Sequence, residues 1–390
     1  LLPGTRFVGM DQAKAQVESG RADAALLGLK NVELLAMDVV DVTMALGEFD
    51  YVIVHGVYSW VPVEVQAAIL RICKENLAPQ GVAYVSYNCK PGWQMRGLMR
   101  DMMRLHAHGF DDPGDQVRQA RAMLGFLGRA AEVAGGRSYG RWMGEEVELL
   151  DRMGDFYLLH EHLASDNDAL WFHEFSKRVG DGGLQYLGEP TLAMMMGRGL
   201  PAALREEIDG ATGDLIQTQQ YMDFATGRHF RRSLLVHRNI ELDRQLNWRS
   251  LRPLRIATPA QTTADESALQ DGGDVIFHRE DAELATSTPT LKLALRLLGD
   301  AWPDAISFTE LAATVSTKAG LDLDSTQRVI GRDLLNAAAS GFVDLGVSRR
   351  SARPAGSHPH VPAFMRLQAE RGLSLLTTAL HTPLPADDNM

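Results

Sequence analysis

The spacing of apolar and polar positions changes character along this chain. Over the first hundred residues, short apolar runs alternate with stretches of helical period. Such alternation builds a parallel sheet with right-handed crossovers, an α/β fold. Residues 6–10 read as a strand closing on Asp11, residues 12–27 as a helix stopped by Gly28, and residues 31–37 as a second strand running into Asp38. Residues 49–54 (FDYVIV) are a third strand, continuously apolar, as expected of a strand buried on both faces. Pro62 opens a helix carried by Val65, Ile69, Ile72 and Leu77; residues 77–81 break it, and residues 81–87 (GVAYVSY) form the fourth strand.

From residue 92 to 178 the period is almost wholly helical, with residues 93–106 continuing the α/β unit and residues 115–134 and 144–178 forming an added module. Strands return at residues 184–188 and 229–237, around a mixed stretch at 190–226, so a sheet resumes after a helical insertion. Residues 253–288, rich in Pro, Thr, Ala, Asp and Gly, read as linker or irregular structure. Helices at 291–298, 308–315 and 325–339 with a strand at 341–345 predict a winged-helix-like domain, and 351–363 a loop. The expected division is a Rossmann-like core at 1–112, a helical module with returning strands at 113–240, a linker at 241–288 and the winged-helix-like domain at 289–390.

Composition narrows the class. The 390 residues are 45% hydrophobic and 23% charged, with a net charge of −11, the profile of a soluble globular protein with no broad basic face for nucleic acid. No apolar run reaches the ~20 residues of a membrane span. Two cysteines, Cys73 and Cys89, cannot form a disulfide scaffold, which points to a reducing, cytoplasmic setting. Residues 289–350 hold seven Lys/Arg against seven Asp/Glu, so the C-terminal domain reads as a protein-contact or scaffold element and not a DNA reader.

The most informative chemistry is Asp11 with Asp38. Each lies just past the carboxyl end of a parallel strand, where open α/β sheets bind ligands. A carboxylate there accepts two hydrogen bonds from a ribose diol; the alternative is that both are helix N-caps. The acid of a nucleotide-binding unit follows a glycine-rich loop by about 20 residues. Counting back from Asp11 places that loop before Leu1, and the first strand with it. Gly180-Asp181-Gly182-Gly183 precedes a strand and reads as a helix stop.

Two loops follow the third and fourth strands. His55-Gly56-Val57-Tyr58-Ser59-Trp60 offers close backbone approach at Gly56 and flat faces at Tyr58 and Trp60, fit to wall a purine or a substrate side chain or simply to cover the sheet edge. Tyr87-Asn88-Cys89-Lys90-Pro91-Gly92-Trp93 brings polar groups to the same edge, or is a plain strand-to-helix connection. The pairs His106/His108, His160/His162 and His358/His360 lack the spacing and partners of a zinc site, so no metal is expected. Met194-Met195-Met196 reads as core filling or a flexible contact surface, and no G-x-S-x-G supports a hydrolase.

The strings PGTRFVGMD, FDYVIVHGVYSWVP, LAPQGVAYVSYNCKPGW and GLQYLGE resemble the class I S-adenosylmethionine-dependent methyltransferases that carry a methyltransferase regulatory domain, the group of the rickettsial outer-membrane-protein lysine methyltransferases. The resemblance runs through most of the chain. It implies S-adenosylmethionine as cofactor, held at the ribose by Asp11 beside Met10 and at the adenine by Asp38 and Val39. It implies that His55 and Gly56 line the pocket near the methyl donor, that Tyr58, Trp60, Tyr87 and Asn88 face the acceptor, and that Trp93 contacts substrate. His55, Tyr58, Tyr87 and Asn88 are the expected catalytic set. Relatives commonly carry Thr and an aromatic residue where Cys89 and Lys90 stand. The implied reaction is direct displacement by a neutral amine of a protein lysine, needing positioning and a proton route but no metal. As the sequence stands, without the family's G-x-G-x-G loop, weak cofactor binding is expected of these residues. A non-catalytic interaction protein on a degenerate methyltransferase fold is the main alternative. A nicotinamide-dependent oxidoreductase is a weaker one.

Overall fold

The computed structural model describes residues 2, 4–197, 199–347, 361–378 and 382–386; the His358/His360 pair, Arg349, Arg350 and the end of the family resemblance at Leu380-His381 lie outside them. The chain divides into two compact units, one of Leu1–Asp41 with Gln245–Met390 and one of Val42–Arg244.

The first unit opens with β1 (Phe7–Asp11), α1 (Lys14–Leu26) and β2 (Val32–Ala36). β1 and β2 pair in parallel, from Phe7 opposite Val32 to Asp11 opposite Ala36. Missing side chains bring helix and strands together: a Cβ on Gly9 or on Gly20 would lie 2.8 or 2.7 Å from the Leu34 methyls. Gly28, at φ +67°, ends the helical segment as expected.

The second unit contains β3 (Phe49–Val54), α2 (Val63–Glu75), β4 (Leu77–Asn88), α3 (Gly92–Ala107), α4 (Pro113–Ala134), α5 (Ser138–Asp151) and the short α6 (Asp155–Tyr157). A π-helical turn, Leu158–Leu163, precedes α7 (Phe172–Asp181), β5 (Leu184–Gly188), α8 (Leu192–Met195), α9 (Ala202–Ala211), α10 (Leu215–Thr226) and β6 (Phe230–His237). The sheet order is β3-β4-β6-β5, with β3 parallel to β4 and β6 antiparallel to both its neighbours. The strands that return after the helical insertion thus complete this sheet. In α4, the Asp112 carboxylate accepts from the Asp115 amide at 2.9 Å, Pro113 occupies the first turn, and Gly135 at φ +59° closes the helix. Met99, Met103, Leu124, Leu127, Met143 and Leu150 form the buried core of α3–α5.

Three expectations need correction here. The first four strands form two parallel pairs, β1 with β2 and β3 with β4, because alternation of elements fixes the crossover hand but not which strands are neighbours. The β3 strand is not buried on both faces: it is the edge of its sheet, and the pleat sets Tyr51 and Ile53 on one side, 71% and 72% exposed. Residues 77–81, expected to be a break, already belong to β4, with Leu77 opposite Phe49.

The first unit resumes with a 3₁₀ turn (Trp248–Leu251), β7 (Arg255–Ala257), α11 (Glu266–Gln270) and a hairpin of β8 (Val275–Arg279) and β9 (Ala282–Thr286). Then come α12 (Pro289–Ala301), β10 (Ile306–Ser307), α13 (Phe308–Ala319), α14 (Leu323–Ala339), β11 (Asp344–Gly346), α15 (Ala363–Glu370), β12 (Leu375–Thr377) and β13 (Pro383–Pro385). The linker reading of 253–288 fails: Leu269, Val275 and Phe277 share one core with Leu295, Phe308 and Leu334. The hairpin turns at Glu280-Asp281 with Glu280 at φ +51°, so it lacks the Gly or Asn that usually marks such a turn. Lys292 is fully buried and donates to the carbonyls of Ala268 at 2.9 Å and Asp271 at 3.0 Å, tying α12 to α11. No described helix is long and apolar enough to cross a membrane.

One buried cation organises the second unit. Arg231 on β6 is 0% exposed; it donates to both oxygens of Asp223 at 2.8 Å, to Glu189 at 2.7 Å and to the Gln219 carbonyl at 3.0 Å, and lies 3.8 Å over the Phe172 ring. Burial works against its charge, but Asp223 and Glu189 outweigh that and hold it protonated. Arg231→Met strands two buried carboxylates, and unfolding in urea should show a loss of about 3–5 kcal/mol. Adding Asp223→Leu and Glu189→Leu should restore much of it; a single-variant loss under about 1 kcal/mol would refute the hub.

Candidate functional site

The carboxyl ends of β3 and β4 are locked together by main-chain and hydroxyl contacts. The Asn88 amide donates to Ser59 Oγ at 2.8 Å, and its carbonyl accepts from the Leu170 amide at 3.2 Å. The Lys90 amide donates to the Leu170 carbonyl at 3.0 Å, and the Cys89 amide to His229 at 2.9 Å. The buried Asn88 Nδ2 has no hydrogen-bond partner among the described residues, the condition of a group awaiting a ligand or water. Pro91-Gly92 then turns the chain into α3. A Cβ on Gly92 would sit 2.0 Å from the Gly227 carbonyl, so only glycine permits this approach.

His55 and Gly56 stand at the end of β3, docked on β4. His55 Nδ1 is 3.1 Å from the Tyr84 hydroxyl and 3.3 Å from Ser86 Oγ, and the Gly56 amide donates to Ser86 Oγ at 2.8 Å. Gly56 takes φ +68°, the left-handed region that glycine enters freely. His55 is exposed and hydrogen-bonded.

Two of the expected aromatic groups pack together. Trp60 meets Trp93 edge-on at 5.8 Å, and Trp93 stacks on His162 at 6.4 Å with a 21° tilt. Tyr58 and Tyr87 do not present open phenols. Both are 1% exposed, Tyr87 stacks on Phe175 at 4.0 Å, its hydroxyl lies 3.2 Å from Ser233, and burial raises both phenol pKa values. The structure sets them behind the site, because Tyr87 and Asn88, adjacent on a strand, point to opposite faces.

In the first unit, Met10 and Asp11 end β1, and Asp38 and Val39 follow β2. Asp11 Oδ1 accepts from the Ala13 amide at 2.8 Å, and Asp38 Oδ1 from the Val40 amide at 3.0 Å. Each is a local bond to the amide two residues on, using only Oδ1; Asp11 does not cap α1, whose N-cap is Ala13, while Asp38 bonds into the short turn Val39–Asp41. These bonds orient the acids without consuming them.

The site has neighbours that sequence reasoning missed. His162 is fully buried, and neither ring nitrogen has a partner among the described residues. Burial, with Arg96 and Arg100 nearby, pushes its pKa down to about 4. Arg96 also faces Glu146, Tyr157 and Glu161; burial raises the pKa of all three. No sequence signal marks these pairings beyond helical spacing. Met194 is partly a contact residue, its carbonyl accepting from Arg228 at 3.0 Å. Among the described residues no cluster of three or more His, Cys, Asp or Glu side chains is placed to hold a metal ion.

Comparison with known proteins adds the decisive observation. Residues 1–126 match the model of a methyltransferase domain, and residues 154–237 that of a predicted methyltransferase regulatory domain. The chain is 31% identical to the Rickettsia prowazekii protein RP789 over 396 residues, covering 98% of this chain and 70% of that one. It belongs to the class I S-adenosylmethionine-dependent methyltransferases that carry a methyltransferase regulatory domain. The methyltransferase is also 36% identical to RP028 of the same organism over 177 residues, 45% of this chain and 70% of that one. The solved structure of PKMT2 from Rickettsia typhi in complex with AdoHcy superposes at a TM-score of 0.86, with 28% identity over 98% of this chain and 76% of that chain. Membership bears out the resemblance read from the sequence, and with it the enzyme class and cofactor. It displaces the nicotinamide alternative.

His162 of the methyltransferase supplies a pH test. Its folded pKa lies below the ordinary 6.5, so the unfolded chain binds the proton first, and stability present above pH 6.5 is lost as pH falls toward 4. Urea unfolding at pH 7.5 and 4.5 should show His162→Phe losing less stability than wild type by ~2.5 kcal/mol; equal losses would show that His162 does not titrate this way.

Proposed function

We propose that this methyltransferase transfers the methyl group of S-adenosylmethionine to lysine side chains of a protein substrate. The observation that carries the reading is the pair of carboxylates, Asp11 and Asp38, each oriented by a backbone amide at the carboxyl end of a parallel strand. Their chemistry fits the donor: Asp11 beside Met10 offers an acceptor to a ribose diol, and Asp38 beside Val39 offers one to an adenine amino group. When bound, the sulfonium supplies the electrophilic methyl.

The remaining roles belong to this chain's own groups. His55 is the ring placed to relay the acceptor's proton, with Tyr84 and Ser86 holding its Nδ1 side. Gly56 keeps the approach open, and the unpaired Asn88 Nδ2 is a donor for an acceptor-side oxygen. Trp60 and Trp93 exclude water, and Tyr58 and Tyr87 pack with Phe175 on the far face of the strand. The lysine acceptor and a protein substrate are supported by the relatedness to PKMT2 of Rickettsia typhi, whose structure holds AdoHcy.

The finer architecture goes with this reading: residues 1–112 as the Rossmann-like core, 113–240 as the regulatory module, and 289–390 as a winged-helix-like domain, with the segment between them part of a packed core. The even charge of 289–350 and the net charge of −11 fit an enzyme without a nucleic-acid partner, and the two unpaired cysteines fit a reducing, cytoplasmic setting.

Calorimetry with the protein expressed from its full coding sequence tests the proposal. S-adenosylhomocysteine should bind, and Asp11→Ala should weaken it about tenfold or more, as loss of a charged hydrogen-bond acceptor does. Radiolabelled methyl should appear on lysine after incubation with a proteome extract. Binding that is absent, or label found only on other residue types, would refute the donor or the acceptor assignment respectively.

A further inference from the structure

A cleft of about 290 Å³ opens beside the acceptor end of the second unit. One wall is the loop after β3, residues 61–63, immediately beyond Trp60; the other is residues 165–168. The second wall is anchored to the site itself. The Asp168 amide donates to the Ser59 carbonyl at 2.8 Å, and two residues on, the Leu170 amide donates to the Asn88 carbonyl. The cleft is thus continuous with the groups that hold Asn88.

Its walls differ in chemistry. The 61–63 wall is apolar, with Val63 60% exposed. The facing wall carries Asp166, Asn167 and Asp168. Its nearby guanidiniums are committed: Arg100 donates to the Ala164 carbonyl, Arg104 to that of Ser165 at 3.4 Å, and Arg178 to Gln66 at 2.6 Å, with Asp168 3.7 Å away. Asn167 stands apart. Its side-chain nitrogen and oxygen are both shielded from solvent, and neither has a hydrogen-bond partner among the described residues. An amide left with donor and acceptor both unmet is costly in a folded protein. A peptide unit is the group that answers both at once, one C=O for the nitrogen and one N–H for the oxygen.

We infer that this cleft binds the extended protein segment flanking the methylated residue, with a rotation of the Asn167 side chain gripping its backbone and the apolar 61–63 wall packing on its side chains. The inference rests on the protein-substrate reading above and gives that substrate a form: an extended chain recognised through its main chain, so that many local sequences are accepted. Asp166 and Asp168 favour a basic neighbour without requiring one.

The test is direct binding, read without cofactor. The probe is a fluorescein-labelled pool of decapeptides with a central lysine and every other position randomised. Fluorescence anisotropy should show the pool binding the wild type, Asn167→Ala weakening it about tenfold, and Asn167→Asp, which keeps only the acceptor, falling between. Val63→Arg, an exposed change that fills the apolar wall without touching the core, should weaken it as well. Thermal melts and S-adenosylhomocysteine affinity should match wild type in all three. Failure of the pool to bind wild type, or equal affinity for wild type and Asn167→Ala, overturns the cleft whatever the cofactor does. Loss of S-adenosylhomocysteine binding by the wild type would instead overturn the methyltransferase reading, and the anisotropy would still decide the cleft.

Discussion

The carboxyl end of β4 in this methyltransferase is backed by one buried guanidinium. Arg231 is buried on β6 directly across the ladder from Tyr87, one residue before Asn88. A lone cation there would be prohibitive, and two carboxylates with a carbonyl make it tolerable. Those partners come from three different elements: Glu189 follows β5, Asp223 and Gln219 lie on α10, and Phe172 on α7 stacks beneath. A buried ion pair contributes little net stability over a well-packed apolar core, but it penalises every arrangement that leaves one member unpaired. The strand neighbour of Asn88 is held against that cluster, while Asn88 itself is held by Ser59 and Leu170.

The matched regulatory segment, residues 154–237, therefore does structural service in the site. It supplies Leu170, which bonds the main chain at Asn88 and Lys90, and Phe175, which stacks on Tyr87. It supplies His162 behind Trp93 and the wall of residues 165–168. A domain defined by its attachment to a methyltransferase here shares a sheet with it, since β6 pairs along β4 from Ala83 to Asn88.

Legibility in the sequence followed the range of the interaction that decides each feature. β1, α1 and β2 were readable because period, Gly28 and the terminal aspartates are local signals. The helical stop at Gly182-Gly183 was readable for the same reason, Gly183 sitting at φ +78°. The β8–β9 hairpin was not, since its turn residues Glu280-Asp281 carry no glycine and its apolar positions join a core that also draws on α11 to α14. Tyr58 and Tyr87 looked like site residues because aromatic groups near a strand end are ambiguous between wall and core. Phe175, distant in sequence, stacks on Tyr87 and meets Tyr58 edge-on, which no local signal announces.

The sequence by itself determined the alternation of strands and helices, the acids at two strand ends, the glycine turns at Gly56 and Gly92, and enough of the family's strings to name the chemistry. Each of these is written within a dozen residues, where sterics and periodicity act. Tertiary structure alone decided which strands are neighbours, that β3 is an edge, that Asn88 and Asn167 keep unpaired amides, and that Arg231 is the buried hub. Those depend on groups tens to more than a hundred residues apart meeting in a low-dielectric interior, where hydrogen bonds and charges are costly to leave unmatched.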